Sequence, residues 1–145
     1  MPSLLFDDRD QVLAAIWHAY MEEDCERELA ERHGLTFAKF AAHYDHAAVV
    51  GVVIRGAIAG GAIFDGNRMH LAIVRKYRAN WFKALRPLLA WAFNRYGSPL
   101  KASANRHNAA AIKFIEHVGC VRQGENEHMI HFGIFKERMR YGRRC

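Results

Sequence analysis

At Ala47 the sequence changes period, and that change constrains the fold more than any other feature. Before it, apolar residues recur at helical spacing: Val12, Ala15, Ile16 and Tyr20, then Phe37, Phe40, Ala41 and Tyr44. From it, Ala47-Ala-Val-Val-Gly-Val-Val-Ile54 is continuous and largely β-branched, the composition of a buried strand. Arg55-Gly56 supplies a tight turn, Ala57 to Phe64 a returning strand, Asp65-Gly66-Asn67 a second turn and Met69 to Val74 a third strand. A helical N-terminal third therefore leads into an antiparallel meander.

The order on either side completes the outline. Ser3 to Phe6 reads as a short strand, and Asp8 or Asp10 can cap the first helix. Met21 to His33 is more helix with a solvated face, ended by Gly34, and Thr36 opens a further turn or two. After the meander, Leu85, Leu88, Leu89, Trp91, Ala92 and Phe93 mark a helix that stops at Tyr96-Gly97-Ser98-Pro99. Pro87 lacks an N–H and clashes with the carbonyl four residues back, so a start near Lys83 is expected, leaving Arg75 to Phe82 as a loop. Leu100 to Ala104 is a strand. Asn108 can cap a helix whose apolar face is Ala111, Ile112, Phe114, Ile115 and Val118, with Gly119 at its end. Val121 to Phe135 makes two strands joined through Gly124-Glu125-Asn126. This alternation implies an α+β fold: one central, mostly antiparallel twisted sheet with helices on both faces, in a single domain over 1–145.

Composition excludes several classes. With 145 residues the chain can bury one core. Its apolar runs, such as Ala47 to Ile54, stop well short of the ~20 residues of a membrane span, and the acidic start around Asp7 and Asp8 is unlike a signal peptide, so a cytoplasmic protein is expected. Cys25, Cys120 and Cys145 are odd in number and lack a Cys-x-x-Cys spacing, which favours reduced thiols with Cys120 buried. The nine histidines form no metal-ligand pattern: His43 and His46 have no cysteine partners, and His128 and His131 fall on opposite faces of a strand. The net charge of +6 is concentrated in Lys136, Arg138, Arg140, Arg143 and Arg144. Such a tail attracts phosphate, but a solvated, frayed terminus is the simpler reading, and nucleic acid is the least supported partner.

Two segments carry a resemblance. Val74 and Tyr77-Arg78 follow the third meander strand, and Asn108, Ala111, Phe114 and Gly119 fall in register with Asn-x-x-Ala-x-x-Phe-Tyr-x-x-x-Gly-Phe. From Ala47 to Phe135 the chain resembles the GNAT (GCN5-related N-acetyltransferase) superfamily. The resemblance implies transfer of an acetyl group from acetyl-CoA to an amine, here of unknown identity. The backbone near Ile73 and Val74 would pair with the pantetheine arm and polarise the thioester carbonyl. Amides and side chains of Arg75, Arg78, Ala79, Asn80, Trp81, Phe82 and Lys83 would hold the pyrophosphate at the helix start, and Asn108 would reach the arm. His70, on the third strand with Arg68, Ala72 and Val74 on its face, is the candidate base, ahead of Glu127, His128 and His131.

The chain departs from that family at consequential positions. Trp81 and Lys83 occupy the loop's glycine positions, and Ala79 replaces the glycine beside Arg78. Either the indole blocks the phosphate cradle, or it points into the core and leaves Arg75, Lys76, Arg78 and Lys83 to hold phosphate by charge. Ile115 stands where the family's tyrosine acid is expected; Tyr77 and Tyr96 are substitutes without support from spacing. The glycine-poor loop also resembles small GNAT-like proteins of tailed bacteriophages, which implies an alternative: a catalytically degenerate binding or structural protein, with a second copy or a virion protein as partner.

Overall fold

The computed structural model describes residues 2–141. The N-terminal third forms strand β1 (Ser3–Leu5) and helices α1 (Arg9–Met21), α2 (Asp24–Arg32) and α3 (Phe37–His43). Asp8 takes the N-cap position of α1 in the left-handed region, at φ 58°, with no side-chain cap. The start of α1 is tied down by its neighbour instead: the Arg9 guanidinium donates to the carbonyls of Ala47, at 2.5 Å, and Tyr44. Thr36 does cap α3, its Oγ accepting from Lys39 N at 3.3 Å.

The sheet comprises β1, β2 (Ala48–Ile54), β3 (Ala57–Asp65), β4 (Arg68–Ile73), β5 (Leu100–Asn105), β6 (Val121–Glu125) and β7 (Met129–Ile134). Its order is β1-β2-β3-β4-β5-β7-β6, antiparallel except between β4 and β5. Gly51 and Gly61 face each other across β2 and β3. A Cβ on Gly51 would lie 2.7 Å from Val12 Cγ2, and one on Gly61 3.0 Å from Val12 Cγ1. The missing side chains therefore seat α1 directly on the middle of the sheet, with Val12 fully buried.

Val12, Leu13, Ile16 and Phe40 pack with Ile63, Ala72 and Val74 on one face. On the other, α4 (Phe82–Tyr96) buries Leu85, Leu88, Leu89, Ala92 and Phe93 against Val50, Phe64 and Leu100. Each large aliphatic side chain so buried contributes about 1.5–3 kcal/mol. α4 starts one residue before Lys83, and Pro87, whose missing N–H would have met the Lys83 carbonyl, turns its ring to solvent. Helix α5 (Ala109–His117) is more lightly held: none of its residues is fully buried, and Ala111, Ile112 and Ile115 rest on Ala104, Ile130 and Phe132.

The chain end corrects the expectation of a frayed terminus as far as Tyr141. After a 3-10 turn at Lys136–Arg138, Arg140 N donates to Val118 O at 2.9 Å, and the Arg86 guanidinium lies 5.2 Å from the centre of the Tyr141 ring. This segment straps the end of α5 to α4. Arg143, Arg144 and Cys145 lie outside the described residues.

Candidate active site

β4 and β5 are registered at a single position, Arg68 opposite Lys101, where Lys101 N donates to Asn67 O at 2.8 Å. Beyond it they part. β4 stays with β3 as far as Ile73, and Val74 N extends the ladder to Ala59 O at 2.7 Å, while β5 follows β7 through its whole length. Alternation along an antiparallel ladder then turns the backbone groups of Leu71 and Ile73 away from β3, toward the opening. β3 is bulged where it meets this end, since Val52 pairs with Gly60 but Val53 with Ile58. Gly60 adopts φ 142°, and a Cβ there would fall 2.1 Å from Ala72 O.

A cavity of about 690 Å³ occupies the opening and reaches both faces of the sheet. Ala19, Tyr20 and Glu23 line it on the α1 side, Trp81, Leu85 and Phe114 on the α4 side, and Leu71, Ile73 and Ala102 between. Its size suits a small-molecule site, and its wall is mostly apolar with a few polar groups.

The phosphate-loop candidates lie at one mouth. Arg75 to Tyr77 form a 3-10 turn, and the amides of Tyr77, Arg78, Asn80, Lys83 and Ala84 are used by the loop's own turns. Trp81 points into the core, with 7% of its surface exposed and its ring 4.8 Å from that of Phe114, while still forming part of the cavity wall. Of the two expectations for this residue, the core position is the one observed. Arg78 and Phe82 also line the cavity; Ala79 and Lys83 are exposed and Asn80 half-buried.

The loop's arginines are engaged by two acids that sequence reasoning missed. Glu22 Oε1 accepts from Arg75 N, and Glu22 O from Arg75 Nη2, both at 2.7 Å. Glu23 Oε1, closed off from solvent, forms an ion pair with Arg78 Nη2 at 2.5 Å, and Arg78 Nε donates to Ile73 O at 3.3 Å. Nothing in the spacing of Met21-Glu22-Glu23-Asp24 distinguishes this pair from a solvated helix face, because the contact spans 53 residues.

His70 lies on the α1–α3 face, its ring 5.3 Å from Tyr44, and its neighbours Met69, Leu71 and Ala72 line the cavity rather than the imidazole itself. Burial, reinforced by Arg68 and His43 and opposed by Asp65, lowers its pKa, so it is neutral at pH 7. Asn108 caps α5, Oδ1 accepting from Ala111 N at 3.2 Å, and also lines the cavity. Ile115 lines it too and offers no proton. Tyr96 stacks on Phe64 at 5.5 Å, and Tyr77 is half-buried under Lys76. The tyrosine on the cavity wall is Tyr20, whose phenol burial keeps protonated. Glu127 and His128 are exposed in the β6–β7 turn, whereas His131, in β7, bonds Ser103 on the cavity wall.

This architecture is the fold of GCN5-related N-acetyltransferases. A GCN5-related N-acetyltransferase from Rhodopseudomonas palustris superposes with a TM-score of 0.71 at 18% identity, over 93% of this chain and 96% of that one. The PaiA N-acetyltransferase from Thermoplasma acidophilum, solved in complex with coenzyme A, gives 0.68 at 9% identity over 93% and 99%. An N-acetyltransferase from Staphylococcus aureus gives 0.66 at 13% over 93% and 98%. No protein-family model and no curated protein matches the sequence.

Proposed function

We propose that this chain is an acyl-CoA-dependent N-acetyltransferase acting on an amine whose identity its residues do not disclose. The observation that carries the reading is the parted β4–β5 seam with a cavity passing through it, since direct acyl transfer needs both substrates to meet at one point and a cavity open to both faces of the sheet lets each reach it from its own side. The cavity fits a pantetheine arm: it holds about 690 Å³ behind a mostly apolar wall, with Ile73 and Asn108 among its lining. The Val74 amide is held by Ala59 and the Ile73 carbonyl already accepts from Arg78 Nε, so the Ile73 N–H, with the Leu71 backbone beside it, is the group proposed for pairing. Arg75, Arg78 and Lys83 would hold the phosphates by side-chain charge, because the loop's amides are largely used internally. Acetyl-CoA, when bound, supplies the activated acyl thioester. Neutral His70 is the proposed base on the acceptor face; since it does not itself line the cavity, it would take the proton of the attacking amine through water. A cytoplasmic location belongs to the same proposal.

Calorimetric titration with acetyl-CoA, followed by thiol release over a panel of amines, tests this reading. Binding with turnover that falls at least 10-fold in His70→Ala supports it. No binding by the native chain overturns it.

One observation favours a second reading, a GNAT-like binding or structural protein without transfer chemistry, of the kind tailed phages encode. Glu22 and Glu23 already occupy the arginines on which phosphate binding would depend. Under the first reading Glu23→Gln frees Arg78 and tightens acetyl-CoA binding about 2- to 5-fold, the worth of one partly screened ion pair. Under the second it changes nothing.

A further inference from the structure

Ser103 sits in β5, two residues beyond the last β4–β5 pair, and lines the cavity where the strands part. Three side chains fix its hydrogen bonding. Arg68 Nη1 donates to Ser103 Oγ at 3.1 Å, and His131 Nδ1 lies 2.7 Å from the same oxygen. The direction of the second bond follows from the far side of the imidazole. Asn126 Oδ1 accepts from the backbone amides of both His128 and Met129, each at 2.8 Å, which fixes the orientation of that side-chain amide. Its Nδ2, necessarily a donor, is 3.4 Å from His131 Nε2. Nε2 is then the acceptor, the ring proton resides on Nδ1, and Nδ1–H donates to Ser103.

A serine hydroxyl has two lone pairs and one proton. Arg68 and His131 take both lone pairs, so the capacity left to Ser103 is its O–H, at the wall of the cavity. Donation from a guanidinium and an imidazole into the same oxygen polarises that O–H and makes it a stronger donor than an isolated serine. We propose that Ser103 is the hydrogen-bond donor the cavity presents to the acyl carbonyl oxygen, with Arg68 and His131 as positioning residues. The inference rests on the acyltransferase reading and deepens it: the chain has Ile115 in place of a tyrosine, and Ser103 supplies a polarised hydroxyl from the opposite wall. No proton is transferred; the bond strengthens as negative charge develops on the oxygen during attack.

The test uses acetyl-CoA labelled with 13C at the carbonyl and isotope-edited infrared spectroscopy of the bound ligand, a readout independent of turnover. The expected result is a carbonyl stretch shifted to lower frequency by the native chain, returned to its solution value in Ser103→Ala and kept low in Ser103→Thr, which retains a hydroxyl. Coenzyme A, which lacks the carbonyl, should bind native and Ser103→Ala chains equally, while kcat falls about 100-fold in the alanine variant. Histidine 15N spectra of the free protein should show His131 protonated on Nδ1. An unchanged stretch in Ser103→Ala with binding intact, or the opposite tautomer, overturns this proposal alone. Failure of the native chain to bind either ligand overturns it together with the acyltransferase reading.

Discussion

The two parts of the sheet on either side of the seam are built differently. Strands β1 to β4 are covered on both faces, by α1 and α3 on one side and α4 on the other, and contribute Val50, Val52, Ile63 and Phe64 at 0–1% exposure. In the other half β5 and β7 bury Leu100, Phe132 and Ile134 at 0–1% exposure, Leu100 and Ile134 in the α4 core, but the helix this half carries itself, α5, buries no residue fully, and β6 is exposed along most of its length. A single registered pair joins the halves. A cavity opened inside the first half would cost several ladder hydrogen bonds and a continuous core. Opened at the boundary, it removes few of either. The contrast teaches that the candidate site lies where the two halves of the sheet meet, between a half clamped by helices on both faces and one whose own helix, α5, and outer strand, β6, are lightly packed.

The largest effect that would break this contrast is expected at Gly60. Its φ of 142° is open almost only to glycine, and a Cβ would collide with Ala72 O at 2.1 Å. Gly60→Ala should destabilise by about 4 kcal/mol or more in urea unfolding. Gly124, in β6, has nothing within 4 Å of a built Cβ, and Gly124→Ala should stay within about 0.5 kcal/mol of the native chain. Equal losses would mean that the two halves are equally constrained. A smaller pair of effects sharpens the same point: Leu88→Ala, fully buried in α4, should cost about 3 kcal/mol, and Ile112→Ala, half-buried in α5, about 1 kcal/mol.

That asymmetry also governs how much was legible in the sequence. The meander was readable because its strands are continuous and β-branched and its turns carry Arg55-Gly56 and Asp65-Gly66, so local chemistry decides both. The Asn108 cap was readable for the same reason, and the structure forms it. The opening at the seam was not readable from local pattern, since it depends on where β5 stops following β4, and only the resemblance pointed to it. Glu22, Glu23 and the Arg68–Ser103–His131 cluster were invisible as groups because each joins residues between 28 and 55 positions apart. The strap at Arg140 and Tyr141 was misread because a run of basic residues looks solvated, while the docking is done by a backbone amide and an aromatic ring.

The smallest effect concerns His70 and Cys120, one titrating group on each side of the seam. Burial lowers the pKa of His70, so the unfolded chain takes up a proton near its ordinary value, about 6.5, while the folded chain does not. Stability should therefore fall as pH drops below that point, and His70→Gln should flatten the slope. Cys120, which ends the α5 turn and lines the cavity, has its thiol pushed up to about 12 by burial. Here the unfolded chain loses the proton first, so stability should fall as pH rises above about 9, and Cys120→Ala should reduce that loss, leaving the share of Cys25 and the buried Tyr20. The thiol also reports on opening. If β5 to β7 hold together under native conditions, iodoacetamide at pH 8 should label Cys120, whose thiol burial pushes up to about 12, more slowly than Cys25, half-buried at the start of α2, whose thiol burial also raises. Labelling of Cys120 as fast as Cys25, at denaturant concentrations where α4 remains folded, would show that the lightly packed half opens by itself, and the seam would then be a boundary of stability as well as of packing.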